Sequence, residues 1–236
     1  GEVYQLLATC LGEPPASFEV RLRDKDDKLA LSGTFTPQDF FSEAVGMELD
    51  DYVSLISAPT TDKPFGHAYT VSRLGNVEED GGVRYLNLPV SELKRCAMEQ
   101  LADDLPVWFG CDVGQSSLRD GGVMDLEAIK ADDLFGTRFP MDKAQRLDYG
   151  ESLMTHAMVF QGVDLDDKGQ PIRWRVENSW GKDAGEDGYY VMTDSWFTEY
   201  TYQVVVNKKY LTPQQAAEYG QEPAQLEPWD PMGSLA

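Results

Sequence analysis

His156 and Asn178 lie at adjoining ends of two apolar runs, Thr155–Val163 and Ile172–Trp180. Both runs read as β-strands, in which side chains alternate between two faces. His156, Met158, Phe160 and Gly162 then share one face, as do Ile172, Trp174, Val176 and Asn178. The stretch Asp164 to Gly169 between them is turn-forming. A hairpin with a three-residue loop at Asp166–Lys168 sets His156 directly opposite Asn178, with Cα atoms about 4.5–5.5 Å apart. An amide oxygen that accepts from one imidazole nitrogen fixes the ring's tautomer and orientation. The other nitrogen is then left to face a nucleophile. Spacing alone favours a structural contact at a strand end over a catalytic one, and a slip of one residue would send the two side chains to opposite faces.

A nucleophile is harder to find. The 236 residues hold three cysteines, Cys10, Cys96 and Cys111. Cys10 and Cys96 fall on the apolar stripes of two expected helices and read as core packing. Cys111 shares a strand face with Val107, Phe109 and Val113 and precedes Asp112. A neighbouring carboxylate raises a thiol's pKa, and no helix follows to supply a dipole. The cysteine spacing fits no zinc pattern, and three cysteines cannot all pair, which points to a reduced, cytoplasmic setting. His67, in the loop Lys63-Pro-Phe-Gly-His67, reads as a surface or loop-packing residue. No calcium loop or phosphate-binding loop is present in the pattern, so neither a metal nor a cofactor is expected.

Forty-one acidic residues against twenty basic ones give a net charge of −21. Such a surface repels phosphate backbones and anionic lipids, which argues against nucleic-acid and membrane partners. Most of the acidic residues read as solvated turns. A functional reading is an acidic cavity that attracts peptide amino termini.

The elements that must position the pair read as α+β. Val3, Leu6, Leu7, Cys10 and Leu11 follow helical spacing with one buried face. Phe18–Arg23 and Lys28–Phe35 read as strands, and Thr36-Pro37 opens a helix to about Val45. Further strands are expected at Tyr69–Leu74, Val83–Leu88, Val107–Val113, Gly188–Thr193 and Thr201–Asn207. Helices are expected at Ser91–Asp103, Pro140–Asp148 and from Thr212-Pro213 to Gly220. Gly114 to Gly136 reads as an irregular excursion. From Gln221 on, Pro223, Pro228 and Pro231 predict an extended arm without regular structure, in which Trp229 packs against the body or a neighbouring subunit.

The residues around the pair resemble a papain-like cysteine peptidase. Thr155-His156-Ala157-Met158 is similar to the segment around that group's catalytic histidine. Glu177-Asn178-Ser179-Trp180-Gly181, with Gly185 to Tyr189 following, resembles its Asn-Ser-Trp-Gly block. The resemblance is closest to the bleomycin hydrolase and aminopeptidase C family and covers nearly the whole chain. It includes Cys10-Leu-Gly-Glu-Pro-Pro15, Arg84-Tyr-Leu-Asn-Leu-Pro89, Pro106-Val-Trp-Phe-Gly-Cys-Asp-Val113, Gly150-Glu-Ser-Leu-Met-Thr-His156 and the tail Glu227 to Ala236.

The resemblance implies His156 as general base, Asn178 as its orienting partner and Trp180 packed over their hydrogen bond. It implies a cytosolic homohexamer acting on peptides. Its C-terminal arm would lie in the cleft, and the carboxylate of Ala236 would hold a substrate's amino terminus. It also implies an antiparallel, barrel-like sheet. Residues 1–147 would be an insertion region, 148–211 the β-rich core, and 212–236 the C-terminal helix and arm. The family's nucleophile is a Cys followed by Trp at the start of a long helix, with an oxyanion-hole Gln a few residues before it, and no Cys-Trp occurs here. The expectation is therefore a C-terminal half that lacks its N-terminal lobe and is inactive alone. The alternatives are a non-catalytic remnant that binds peptides or forms rings, and a metal-binding protein.

Overall fold

The computed structural model describes residues 1–75 and 82–234, which fall into two units, Gly1–Asp50 and Asp51–Ala236. In the first, Glu2–Leu11 is helix α1, Phe18–Arg23 and Leu29–Phe35 are the antiparallel strands β1 and β2, and Pro37–Phe40 is helix α2. The Thr36 hydroxyl accepts from the Asp39 N–H at 3.2 Å, and Pro37 occupies the first helical position, where no N–H is needed. Phe40 meets Phe18 and Phe35 edge-on and joins α2 to the hairpin. The stripe on α1 differs from expectation: none of its residues is buried, and Cys10 is exposed. Helical spacing provides an apolar face but no element to cover it, and nothing else within the first unit buries it.

The second unit contains β3 (Tyr52–Ile56), β4 (His67–Val71), β5 (Tyr85–Asn87), α3 (Val90–Ala102), β6 (Val107–Cys111), β7 (Ser117–Leu118) and β8 (Val123–Met124). It continues with α4 (Ala131–Phe135), α5 (Lys143–Asp148), β9 (His156–Leu165), β10 (Pro171–Glu177), β11 (Tyr189–Thr193), α6 (Asp194–Tyr200), β12 (Thr201–Asn207), α7 (Pro213–Tyr219) and β13 (Ala224–Leu226). One sheet runs in the order β13-β4-β5-β3-β12-β6-β9-β10-β11-β8-β7. Antiparallel pairing dominates, while β11–β8, β13–β4 and β3–β5 are parallel. Phe160 stacks on Phe109 at 3.8 Å between ring centroids and also meets Trp174 and Phe197. Leu93, Cys96 and Ala97 on α3 close this core. The α+β class read from the sequence stands.

Several local expectations change. Residues 194–200 form α6 because the Thr193 hydroxyl caps the Trp196 N–H and the adjacent Trp196 and Phe197 are both buried. The excursion at 114–136 holds the short pair β7 and β8. The arm is not wholly irregular. Ala224–Leu226, lying between Pro223 and Pro228, keeps its N–H groups and pairs with β4. Strands from residues 52–124 share a sheet with those after residue 148. The acidic stretch Glu78-Glu79-Asp80 lies outside the described residues.

Candidate active site

The β9–β10 hairpin forms with a different loop from the one spacing suggested. The Asp166 N–H donates to Gln170 O at 2.8 Å, and Asp167, Lys168 and Gly169 make the turn. Gly169 takes φ 75°, a left-handed value that costs glycine nothing, so it belongs inside the loop. The Asp166 carboxylate accepts from the N–H groups of Lys168 and Gln170, both at 2.8 Å. The ladder shifts register between Pro171 and Arg173 and again between Arg175 and Val176, and closes with Glu177 opposite Val159. His156 and Asn178 are therefore not directly opposed: His156 opens β9, while Asn178 lies one residue past β10.

Their side chains meet nonetheless. His156 Nε2 and Asn178 Oδ1 are 2.7 Å apart. The Ser179 N–H also donates to Asn178 Oδ1, at 2.8 Å. Two donors on one atom identify it as the amide oxygen, so Nε2 carries the hydrogen and neutral His156 keeps its Nδ1 lone pair free. Among the described residues, Nδ1 has no hydrogen-bond partner. Trp180 lies against the imidazole with ring centroids 4.9 Å apart, and the Arg119 guanidinium sits over the indole ring at 5.1 Å. Asn178 Nδ2 and the Tyr190 hydroxyl are both buried without a hydrogen bond of normal geometry. Burial pushes the Tyr190 phenol up, and the nearby Asn178 side chain works against that shift.

The segment that leads into His156 is held by a residue that sequence reasoning passed over. Asp112, buried beside β6, accepts from Ser152 Oγ at 2.8 Å, from the Leu153 N–H at 3.4 Å and from Thr155 Oγ1 at 3.3 Å. The Tyr202 hydroxyl also donates to Ser152 Oγ at 2.7 Å. Asp112 was read only for its effect on Cys111. Its distance along the chain from residues 152–155 hid its role in holding them.

Cys111 is the cysteine nearest the imidazole in the ladder, paired with His156 across β6 and β9. It is fully buried in the core, and burial, then the Asp112 carboxylate, push its thiol well above the ordinary value. Cys96 is buried on α3, and burial raises its thiol to about 11. Neither is a thiolate near neutral pH. His67 lies at the start of β4, where its Nδ1 is 3.0 Å from Phe65 O. Among the described residues, no group of three or more His, Cys, Asp or Glu side chains is placed to hold a metal ion. No helix among them is long and apolar enough to cross a membrane. Ala236 lies outside the described residues. Of the two places expected for Trp229, the body of this chain does not bury it: it is 79% exposed, while Asp230 and Met232 pack.

The model of the Peptidase C1-like family matches residues 1–233. Aminopeptidase C of Streptococcus thermophilus is 50% identical over 235 residues, covering 100% of this chain and 53% of the relative. Bleomycin hydrolase of Gallus gallus is 42% identical over 240 residues, with the same coverage. A crystal structure of pepw from Lactobacillus rhamnosis HN001 superimposes with a TM-score of 0.92 at 54% identity, over 100% of this chain and 53% of that one. The chain thus spans about half the length of the relatives it matches. With a family match along almost its whole length and relatives named aminopeptidase C and bleomycin hydrolase, the chain belongs to the Peptidase C1-like family.

Proposed function

We propose that this chain is the histidine- and asparagine-bearing part of a cytosolic cysteine aminopeptidase that removes N-terminal residues from peptides. The observation that carries the reading is the His156–Asn178 hydrogen bond, which leaves Nδ1 open. In this reading a cysteine from polypeptide outside the chain approaches Nδ1. The imidazole takes the thiol proton and becomes imidazolium. The thiolate attacks the scissile carbonyl, and the imidazolium hands its proton to the leaving amine. Asn178 holds the ring in the required tautomer throughout, and Trp180 keeps water from the bond between them.

The exposed stripe Val3, Leu6, Leu7 and Leu11 on α1 fits a surface that the remaining polypeptide covers. In the same reading the arm ends in the cleft, the carboxylate of Ala236 receives the substrate's amino group, and the intact protein is a homohexamer. Two measurements test the proposal. The purified chain alone should leave an aminoacyl amide intact, while the full-length protein should hydrolyse it and be stopped by a thiol reagent. Thiol-sensitive turnover by the chain alone, or an inert full-length protein, would sink it.

A further inference from the structure

Strand β11 opens with two consecutive tyrosines on opposite faces of the sheet. Tyr189 is half-buried, with the Arg175 guanidinium over its ring at 4.3 Å. Tyr190 points into the core and is 1% exposed. It pairs with Val176 across β10 and β11. Past the end of β10 the Asn178 N–H donates to Gly188 O at 3.0 Å, which continues that ladder by one more hydrogen-bonded step. Asn178 therefore stands opposite Gly188 and diagonal to Tyr190, on the same face. Diagonal neighbours lie about 7–8 Å apart, within reach of an aromatic side chain. Gly188, directly opposite Asn178, carries no side chain to come between them.

The Tyr190 ring has little freedom. Trp180 meets it edge-on, with centroids 6.1 Å apart and ring planes at 80°. Gly185 lies so close that a Cβ there would stand 3.0 Å from Tyr190 Cε2. Two polar groups are left over at this corner. Asn178 Oδ1 already serves His156 Nε2 and the Ser179 N–H. Asn178 Nδ2 and the Tyr190 hydroxyl are both buried, and neither makes a hydrogen bond of normal geometry among the described residues. One is a donor and the other can accept, so pairing them removes the cost of burying each alone. The phenol already senses its neighbour: burial pushes it up, and the Asn178 side chain opposes that push as a hydrogen-bond partner.

We propose that Tyr190 is a positioning residue for the reaction: its hydroxyl oxygen accepts from Asn178 Nδ2 and keeps the carboxamide turned with its oxygen on His156. This deepens the aminopeptidase reading and rests on it. Tyr190 acts through Asn178 and not on the substrate. The contact matters most once His156 has taken the thiol proton. The imidazolium draws harder on Asn178 Oδ1, the amide polarises, and Nδ2 becomes a stronger donor toward Tyr190. A hydrogen bond that is poorly aligned in the resting site tightens in this way as the reaction proceeds. It then stabilises charge that develops in the transition state, so it acts on kcat and not on substrate binding.

The test compares four full-length proteins: the unmodified one, Tyr190→Phe, Asn178→Ala and the double variant. Tyr190→Phe keeps the ring and removes only the hydroxyl. It should lower kcat for an aminoacyl amide about three- to tenfold and leave KM within about twofold. In the Asn178→Ala background the same change should cost nothing further, because the hydroxyl has lost its partner. A general loosening of packing would instead repeat in both backgrounds. An unchanged kcat in Tyr190→Phe overturns the proposal, as does an equal loss in both backgrounds or a loss confined to KM. Thermal unfolding of the same four proteins follows the contact without turnover. Tyr190→Phe should lower the midpoint in the unmodified background and lower it less beside Asn178→Ala; equal shifts overturn the hydrogen bond itself. Should the unmodified protein leave the amide intact, the aminopeptidase reading and the positioning role both fail, and the unfolding comparison still decides the hydrogen bond.

Discussion

Strand β9 has two neighbours that present very different residues to its first residue, His156. On the β6 side stands Cys111, paired with His156 in an unbroken ladder. On the β10 side stands Asn178, past the strand's end and beyond two register shifts that cancel each other. The better-aligned residue is the chemically silent one. Cys111 is sealed in the core, where a thiolate would be desolvated beside a carboxylate. Asn178 has left the ladder, so its amide is free to turn toward the imidazole and its oxygen can serve two donors. Ladder pairing brings backbones together. Useful contact between side chains depends on what surrounds them, and here it arises where regular pairing stops.

The largest effect expected from breaking this contrast is on the imidazole. His156→Ala in the full-length protein should lower kcat for an aminoacyl amide by about 10³-fold or more, since general acid–base groups contribute on that scale. Retention of most of the activity would remove His156 from the reaction. Asn178→Ala should weaken the same rate less, because the ring loses its orienter and keeps its nitrogens. A hydrogen bond to a charged group, worth about 1.5–3 kcal/mol, corresponds to about 10- to 150-fold in rate. A loss equal to that of His156→Ala would mean the two act as one indivisible unit.

On the silent side, Cys111→Ala should leave turnover unchanged and lower unfolding stability by about 1 kcal/mol, read from chemical denaturation. A large loss of activity at normal stability would reverse the comparison. The smallest effect is one of accessibility. A thiol reagent should modify exposed Cys10 in the folded chain and reach Cys96 and Cys111 only on unfolding, as resolved by mass spectrometry of the labelled peptides. Rapid native labelling of Cys111 would show that the core around it opens.

The sequence was most legible where local rules act alone. Thr36-Pro37 and Thr212-Pro213 open helices because a hydroxyl caps and a proline needs no partner at the first position. Thr201–Asn207 is a strand with the boundaries its alternation suggests. The pairing of His156 with Asn178 was legible in kind but not in geometry. The placement of Gly169 in the loop moved the register by two, and two bulges followed. A shift of two preserves the face, which is why the contact survived an incorrect alignment.

Residue types and periodicity by themselves determined strands such as Thr201–Asn207, the helices opened by Thr36-Pro37 and Thr212-Pro213, and the acidic charge. Each of these depends on composition or on neighbours within a few positions. Tertiary structure alone decided that Asp112 secures the segment before His156, that Lys63 meets Asp230 from 167 positions away, and that burial adds to the effect of Asp112 on the Cys111 thiol. Those outcomes depend on burial and on partners brought together across the sheet. No local pattern carries that information, because desolvation and charge pairing are fixed only once the chain has closed around them.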